Sequence, residues 1–270
     1  MSPAPDAEIS AADGFALITG ASAGLGEEFA RQLAALGKDL ILVARREDRL
    51  SALAETLINN FGVRVEVIVA DLSRSDAAES IARQCAAAGW HVDWLINNAG
   101  IAGPDLLQDR DWSDQRSFFQ LMMLSVADLC HRLIPAMTQR GYGRVINVAS
   151  VAARVPRSGG CNYGPAKAYL VALSEELNLT VAAQGVHVSA LCPGFTHTDF
   201  HKTAGLLDMK NNMAKWLWYD ADIVVRDAIR GVEAGKPVVV SGRLYRWLDP
   251  IFQSVWTRRF LRLRARPEAE

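Results

Sequence analysis

Phe15-Ala-Leu-Ile-Thr-Gly-Ala-Ser-Ala-Gly-Leu-Gly26 decides the fold. A short apolar run, Phe15–Thr19, meets a turn with glycines at positions 20, 24 and 26, and a run of helical period through Phe29, Leu33 and Leu36 follows. Glycines at a strand-to-helix turn let the backbone approach a ligand closely. They also aim free N–H groups and the positive end of a helix dipole at it. A pyrophosphate suits such a turn, so dinucleotide binding is the inference, although the spacing G-x-x-x-G-x-G departs from the commoner G-x-G-x-x-G.

Outward from this stretch, the same alternation repeats. Leu40–Ala44, Val63–Ala70, Val92–Ile96, Val145–Ala149, Val186–Leu191 and Val238–Val240 are strand-like, and the gaps between them carry amphipathic helical patterns. Strands apolar on both faces, each followed by a helix, predict a single-domain, Rossmann-like, doubly wound parallel sheet of about seven strands with helices on both faces. The expected organisation is a flexible tail over 1–13, a nucleotide-binding catalytic domain over 14–243 and a basic amphipathic extension over 244–270. A stretch at 196–219 is too long for a simple connection and too apolar for a free loop, and reads as a lid.

The second strand ends in Ala44-Arg45-Arg46, where a fold of this kind that prefers NAD places an acid on the ribose 2′-hydroxyl. A guanidinium there matches a 2′-phosphate, and a charge-assisted contact of about 1.5–3 kcal/mol favours NADP by roughly 10- to 150-fold. Arg45 is the preferred contact and Arg46 the second; both also suit a solvated helix start. NADP(H) is therefore expected, with NAD(H) as the other possibility.

Composition narrows the class. The 270 residues are 50% hydrophobic and 22% charged, with 29 basic against 30 acidic side chains, which describes a globular protein without the basic footprint of a nucleic-acid binder. Met1–Ser10 lacks the basic and apolar regions of a secretory signal, and no apolar run approaches the roughly 18 residues of a membrane span; a cytoplasmic location is expected. Cys85, Cys130, Cys161 and Cys192 have no spacing for zinc and read as reduced, mostly buried thiols, and no metal is expected.

Taken together, Thr19-Gly-x-x-x-Gly-x-Gly26, Asp71-Leu72, Asn97-Asn-Ala-Gly100, Ser150, Tyr163-x-x-x-Lys167 and Pro193-Gly-Phe-Thr196 resemble the short-chain dehydrogenase/reductase family, across about residues 14–240. The resemblance implies a carbonyl/alcohol oxidoreductase with Ser150, Tyr163 and Lys167 as catalytic residues. It implies a cofactor site of Gly20, Ser22, Gly24, Leu25, Gly26, Arg45, Arg46, Asp71, Leu72, Asn98, Ala99, Gly100, Tyr163, Lys167, Pro193, Gly194 and Thr196. It also implies a homodimer or homotetramer, formed through helices near Ser113–Gln139 and Tyr163–Ala183.

Chemistry supports the centre of that assignment. Tyr163 and Lys167 are four apart, hence on one helix face, and Ser150 closes the fifth strand at the edge where such sheets bind ligands. A phenol serves as acid and base only if its pKa of about 10 falls toward neutrality, and a lysine ammonium favours that fall. One expected member is missing: where the family carries a helix asparagine, counting back thirteen from Pro135 gives Met122, a poor hydrogen-bond partner. A backbone carbonyl with water, a substitute at Ser125 or Gln120, and impaired catalysis are the three readings, the first preferred.

Ser150, Tyr163, Phe195, Leu206 and Trp216 are the expected substrate residues, with Cys161 a further candidate to line the site. The lid's Leu206, Leu207, Met209, Met213, Trp216 and Trp218 suit an apolar or aromatic carbonyl compound, and equally suit packing of lid onto core. His197 and His201 lack a third ligand and read as capping or solvated side chains. The runner-up substrate is a 3-ketoacyl thioester whose carrier phosphates meet Lys202, Lys210 and Lys215; a non-catalytic NADP-binding sensor is the alternative from another class. In the extension, Trp247, Phe252, Trp256 and Phe260 lie beside arginines. Packing on the subunit or its mate is preferred there over peripheral membrane contact.

Overall fold

The computed structural model describes residues 14–155, 157–158, 162–197, 218–258 and 263–264. Seven strands form one parallel sheet: β1 (Phe15–Thr19), β2 (Asp39–Ala44), β3 (Val65–Val69), β4 (Val92–Asn97), β5 (Gly143–Val148), β6 (Val186–Cys192) and β7 (Val238–Val240). Their spatial order is β3-β2-β1-β4-β5-β6-β7. The chain winds outward from β1 in one direction through β2 and β3, then returns to β4 on the other side. The β1/β4 junction is thus the switch point of the sheet, where the carboxyl ends of neighbouring strands diverge and leave a crevice.

Alternation along each strand builds the two layers. Leu17, Ile41, Val43, Leu95 and Val145 point to one face, against helices α3 (Ala77–Ala87), α5 (Ser125–Arg140) and α6 (Tyr163–Val181). Ile18, Leu40, Leu42, Trp94, Ile96 and Ile146 point to the other, against α1 (Gly24–Ala35), α2 (Glu47–Phe61) and α7 (Ala221–Glu233). Both faces are covered, which explains why the strands read as nearly continuous apolar runs.

All seven expected strands are present, with ends shifted by up to two residues. The helix expected near Ser113–Gln139 differs in kind: α4 (Trp112–Phe119) and α5 are joined by a π turn over Gln120–Leu124, centred on Met122. Helix α8 (Arg243–Gln253) passes through Pro250 and ends one turn later at Ser254. No helix among the described residues is long and apolar enough to cross a membrane. The 1–13 segment, Leu206, Trp216 and the other lid residues between 198 and 217, Cys161, and most of the basic end beyond Arg258 lie outside the described residues.

Candidate active site

The glycine-rich turn is built by close approach. Gly20 and Gly24 have φ of +66° and +60°, values that side chains rarely adopt. A Cβ at Gly26 would lie 2.3 Å from the Gly20 carbonyl oxygen, and one at Gly20 would lie 2.9 Å from the Ala99 Cα. Residues from the ends of β1 and β4 lock the turn in place. The Thr19 hydroxyl accepts the Asn98 and Ala99 amides at 2.9 and 3.1 Å, while the Asn98 side chain donates to the Thr19 and Gly20 carbonyls. Ala23 precedes α1 with no capping side chain, and Leu25 is half-buried in its first turn. The chemistry suits a phosphate: the turn carries glycines where side chains would stand, and the positive helix end has no side-chain cap.

Around this turn lie the two arginines and Asp71. Arg46 donates to the Ser22 hydroxyl at 2.8 Å, so it reaches the glycine turn itself. Arg45 is exposed and close enough to Asp71 to act on its charge. Burial opposes the Asp71 carboxylate, but hydrogen bonds from the Ser73 amide and hydroxyl, with Arg45 and Arg74, hold its pKa below the usual range. Leu72 is buried in the core beside it.

On the other side of the crevice, β5 and β6 end together. The Val151 amide donates to the Pro193 carbonyl at 3.0 Å, which brings Ser150 beside the Pro193–Thr196 segment. The Ser150 hydroxyl accepts the Ala152 amide at 3.1 Å and starts a 3-10 turn over Val151–Ala153. The first turn of α6 sits on that turn: a Cβ at Gly164 would be 3.1 Å from the Ala152 carbonyl oxygen. Tyr163 and Ser150 are therefore held on adjoining elements. Lys167, one helical turn after Tyr163, places its ammonium 5.8 Å from the phenol ring centroid and donates to the Val148 carbonyl at 2.6 Å.

Lys167 is 5% exposed, and desolvation pulls its pKa down to about 8. Between about pH 8 and the unperturbed value of 10.5 the folded chain therefore holds fewer protons than the unfolded chain, and this group makes stability rise with pH. Below that window the buried charge is a full cost to the fold. Lys167→Met is expected to be more stable than wild type at about pH 7, with no measurable turnover. The difference in Tm should narrow as pH rises to about 10.5. A difference that stays constant across the series contradicts a buried ammonium.

Met122 stands under this cluster. Its Sδ accepts the Ile101 amide at 3.4 Å and would be 3.2 Å from a Cβ on Gly100, which would itself be 3.7 Å from the Lys167 Nζ. Ser125, one of the proposed substitutes, donates to the Leu121 carbonyl at 2.8 Å within its own helix. The site also uses groups that the sequence did not flag. Asn162, next to Tyr163, is buried and donates to Gln115, whose amide in turn bonds the Asp105 carbonyl at 3.0 Å. Two buried polar side chains far apart in sequence leave no local signal.

The described residues on either side of 198–217 meet in one place. Phe195–Thr196 pairs in parallel with Trp218–Tyr219, and the His197 amide donates to the Tyr219 carbonyl at 3.0 Å. Phe195 and His197 both lie against the Trp218 ring, at centroid distances of 5.3 and 5.2 Å. The Thr196 hydroxyl, buried, donates to the Gly194 carbonyl at 3.1 Å. Cys192 is buried just before this segment, and its thiol pKa is pushed up to about 12 by burial. It is therefore a packing group and not a nucleophile.

A match to the short chain dehydrogenase family spans residues 14–206. The chain is 35% identical to sulfoacetaldehyde reductase 2 of Chromohalobacter salexigens over 186 residues, 68% of this chain and 73% of that protein. It is 34% identical to the 3-oxoacyl-[acyl-carrier-protein] reductase FabG of Escherichia coli over 187 residues, covering 68% and 74% of the two chains. Among solved structures, a short-chain dehydrogenase from Sphingobium yanoikuyae in complex with NADPH is similar, with a TM-score of 0.78 and 32% identity over 87% of this chain and 90% of that one.

Proposed function

The chain belongs to the short-chain dehydrogenase family, an oxidoreductase acting on carbonyl and alcohol groups, and from that premise we propose that it is NADP(H)-dependent and interconverts an apolar or aromatic carbonyl compound and its secondary alcohol. The observation that carries this reading is the convergence of Ser150, Tyr163 and Lys167 beside a glycine turn shaped for phosphate. Three chemically complementary groups share one edge of the sheet.

In this reading Gly20, Ser22, Gly24, Leu25 and Gly26 hold the pyrophosphate. Arg45 and Arg46 meet the 2′-phosphate, and Asp71 and Leu72 flank the adenine. Asn98, Ala99 and Gly100 would wall the site, and Pro193, Gly194 and Thr196 would hold the nicotinamide end. The chemistry that a reduced nicotinamide would supply, when bound, is hydride for the carbonyl carbon. Ser150 donates a hydrogen bond to the substrate oxygen and fixes its position. Tyr163 gives that oxygen its phenolic proton, and the Lys167 ammonium stabilises the phenolate left behind. Lys167 would also bond the nicotinamide ribose and so tie the acid to the cofactor.

Support for an apolar substrate comes from Phe195 and Trp218 at the neck of the lid and from exposed Ile101, Leu106 and Leu107 after β4. The 3-ketoacyl thioester reading is favoured by the likeness to FabG. Comparing kcat/KM for an aryl ketone and for acetoacetyl-coenzyme A separates them. A higher value for the aryl ketone supports the apolar reading, and the reverse order favours the thioester.

Arg45→Ala and Arg46→Ala test cofactor choice. Loss of the 2′-phosphate contact should weaken NADPH by about 10- to 150-fold and leave NADH within about twofold, as read by titrating each nucleotide. Equal weakening of both nucleotides would place the arginine in the turn's structure and not in discrimination.

A further inference from the structure

Helix α8 lies beyond the 14–206 span of the family match, yet it holds on to both walls beside Ser150. At its first turn Tyr245 is buried against Gly194, where a Cβ would lie 2.1 Å from the tyrosine ring; burial raises the phenol pKa to about 12, and this tyrosine stays neutral. One turn later, Asp249 takes both ends of the Arg154 guanidinium, with Nε to Oδ1 at 2.6 Å and Nη2 to Oδ2. Both partners are largely shielded from water. At the last turn Gln253 donates to the Arg154 carbonyl at 3.1 Å. The chain then returns once more, with Leu263–Arg264 pairing in parallel with Arg157–Ser158.

Four contacts from one short segment thus fall on two places: the connection from Ser150 to Tyr163, and the Gly194 turn. A simple end-of-chain helix would need one apolar face on the core. α8 instead leaves Trp247 74% exposed and spends a shielded bidentate ion pair on a loop 95 positions away. Arg154 lies four residues past Ser150, within electrostatic reach of Cys192, whose sulfur takes a backbone hydrogen bond at Ser150. A shift of this loop would be felt at the serine.

We propose that α8 is a strap and that Asp249, acting through Arg154, is a positioning residue that holds residues 150–155 in the geometry needed to bind the carbonyl substrate. Among the described residues the Asp249–Arg154 pair makes no hydrogen bond to a residue assigned to the cofactor, so substitution of Asp249 is expected to leave cofactor affinity near that of wild type. The substrate part of this inference rests on the carbonyl-reductase reading.

The experiment uses the full chain with Asp249→Asn, and the exchanged pair Arg154→Asp with Asp249→Arg. Hydrogen exchange is followed at residues 151–155, and steady-state kinetics use whichever carbonyl of the aryl ketone and acetoacetyl-coenzyme A pair wild type prefers. Asp249→Asn should speed exchange at 151–155 by about tenfold or more, because one partner of a shielded pair is left uncompensated. It should raise KM by about 5- to 20-fold, with kcat and NADPH affinity within about threefold. The exchanged pair should recover most of both effects. Unchanged exchange at 151–155 overturns the strap. Faster exchange with unchanged KM overturns the positioning role, as does a proportional loss of NADPH binding. If wild type oxidises NADPH with neither carbonyl, the functional reading fails, and the exchange data alone decide the strap.

Discussion

Tyr163→Phe is expected to lower kcat by about 10²- to 10⁴-fold while NADPH affinity stays within about twofold of wild type. The substitution removes one oxygen and keeps the ring, so packing at the head of α6 is preserved. What disappears is the phenolic proton assigned to the substrate oxygen; the Ser150 hydroxyl can donate a hydrogen bond there but is too weak an acid to transfer its proton. Lys167 is a poor replacement, because its ammonium is held to the Val148 carbonyl at 2.6 Å and lies 5.8 Å from the centre of the phenol ring. Nucleotide titration and steady-state turnover on the same preparation check the claim. A matching loss of NADPH affinity would make Tyr163 a binding residue and leave the acid unassigned.

Gly26→Ala should strike the other half of the site. Its new methyl would lie 2.3 Å from the Gly20 carbonyl oxygen and 2.5 Å from the Asn98 side-chain nitrogen. Neither is the loose end of a flexible chain: the first is backbone, and the second is bound to the Thr19 and Gly20 carbonyls. Relief requires the glycine turn to open, which moves the amides that would receive phosphate. Overpacking of this kind costs about 1–3 kcal/mol, or roughly 5- to 150-fold in NADPH affinity. NADH should weaken by a similar factor, since both nucleotides share the pyrophosphate. Isothermal titration of each nucleotide tests this, and unaltered affinity for both would remove the turn from the binding site.

The contrast between the two variants reflects how the information is distributed along the chain. The strands were legible because burial on both faces leaves little choice but Val, Ile and Leu, and the glycine turn was legible because two of its positions need positive φ. Tyr163 and Lys167 were legible because their relation is local, one helical turn. Their setting was not. The acceptor for Lys167 is a backbone carbonyl, and any residue at 148 would offer it. Whether Arg45 or Arg46 reaches the nucleotide depends on side-chain direction at the end of β2, and Arg46 is the one bonded to Ser22. The pairing of Arg154 with Asp249 depends on where a helix at the end of the chain comes to rest.

Met122 shows the same division. Its identity marks a departure from the resemblance, but the π turn around it and the Ile101 amide on its sulfur belong to tertiary structure. A π turn inserts one extra residue into the helical register and is often found at functional sites. Here it brings a thioether beside Gly100, which also borders the Lys167 ammonium. The structure supplies a buried acceptor for the Ile101 amide at that point without placing a second charge near the ammonium.

The most direct test of the account is to mix the purified chain with NADPH, measure binding, and then add the aryl ketone or acetoacetyl-coenzyme A while following the nicotinamide absorbance. The account predicts tighter binding of NADPH than of NADH, followed by loss of absorbance in proportion to alcohol formed. Tight NADPH binding with no loss of absorbance on either carbonyl would contradict it.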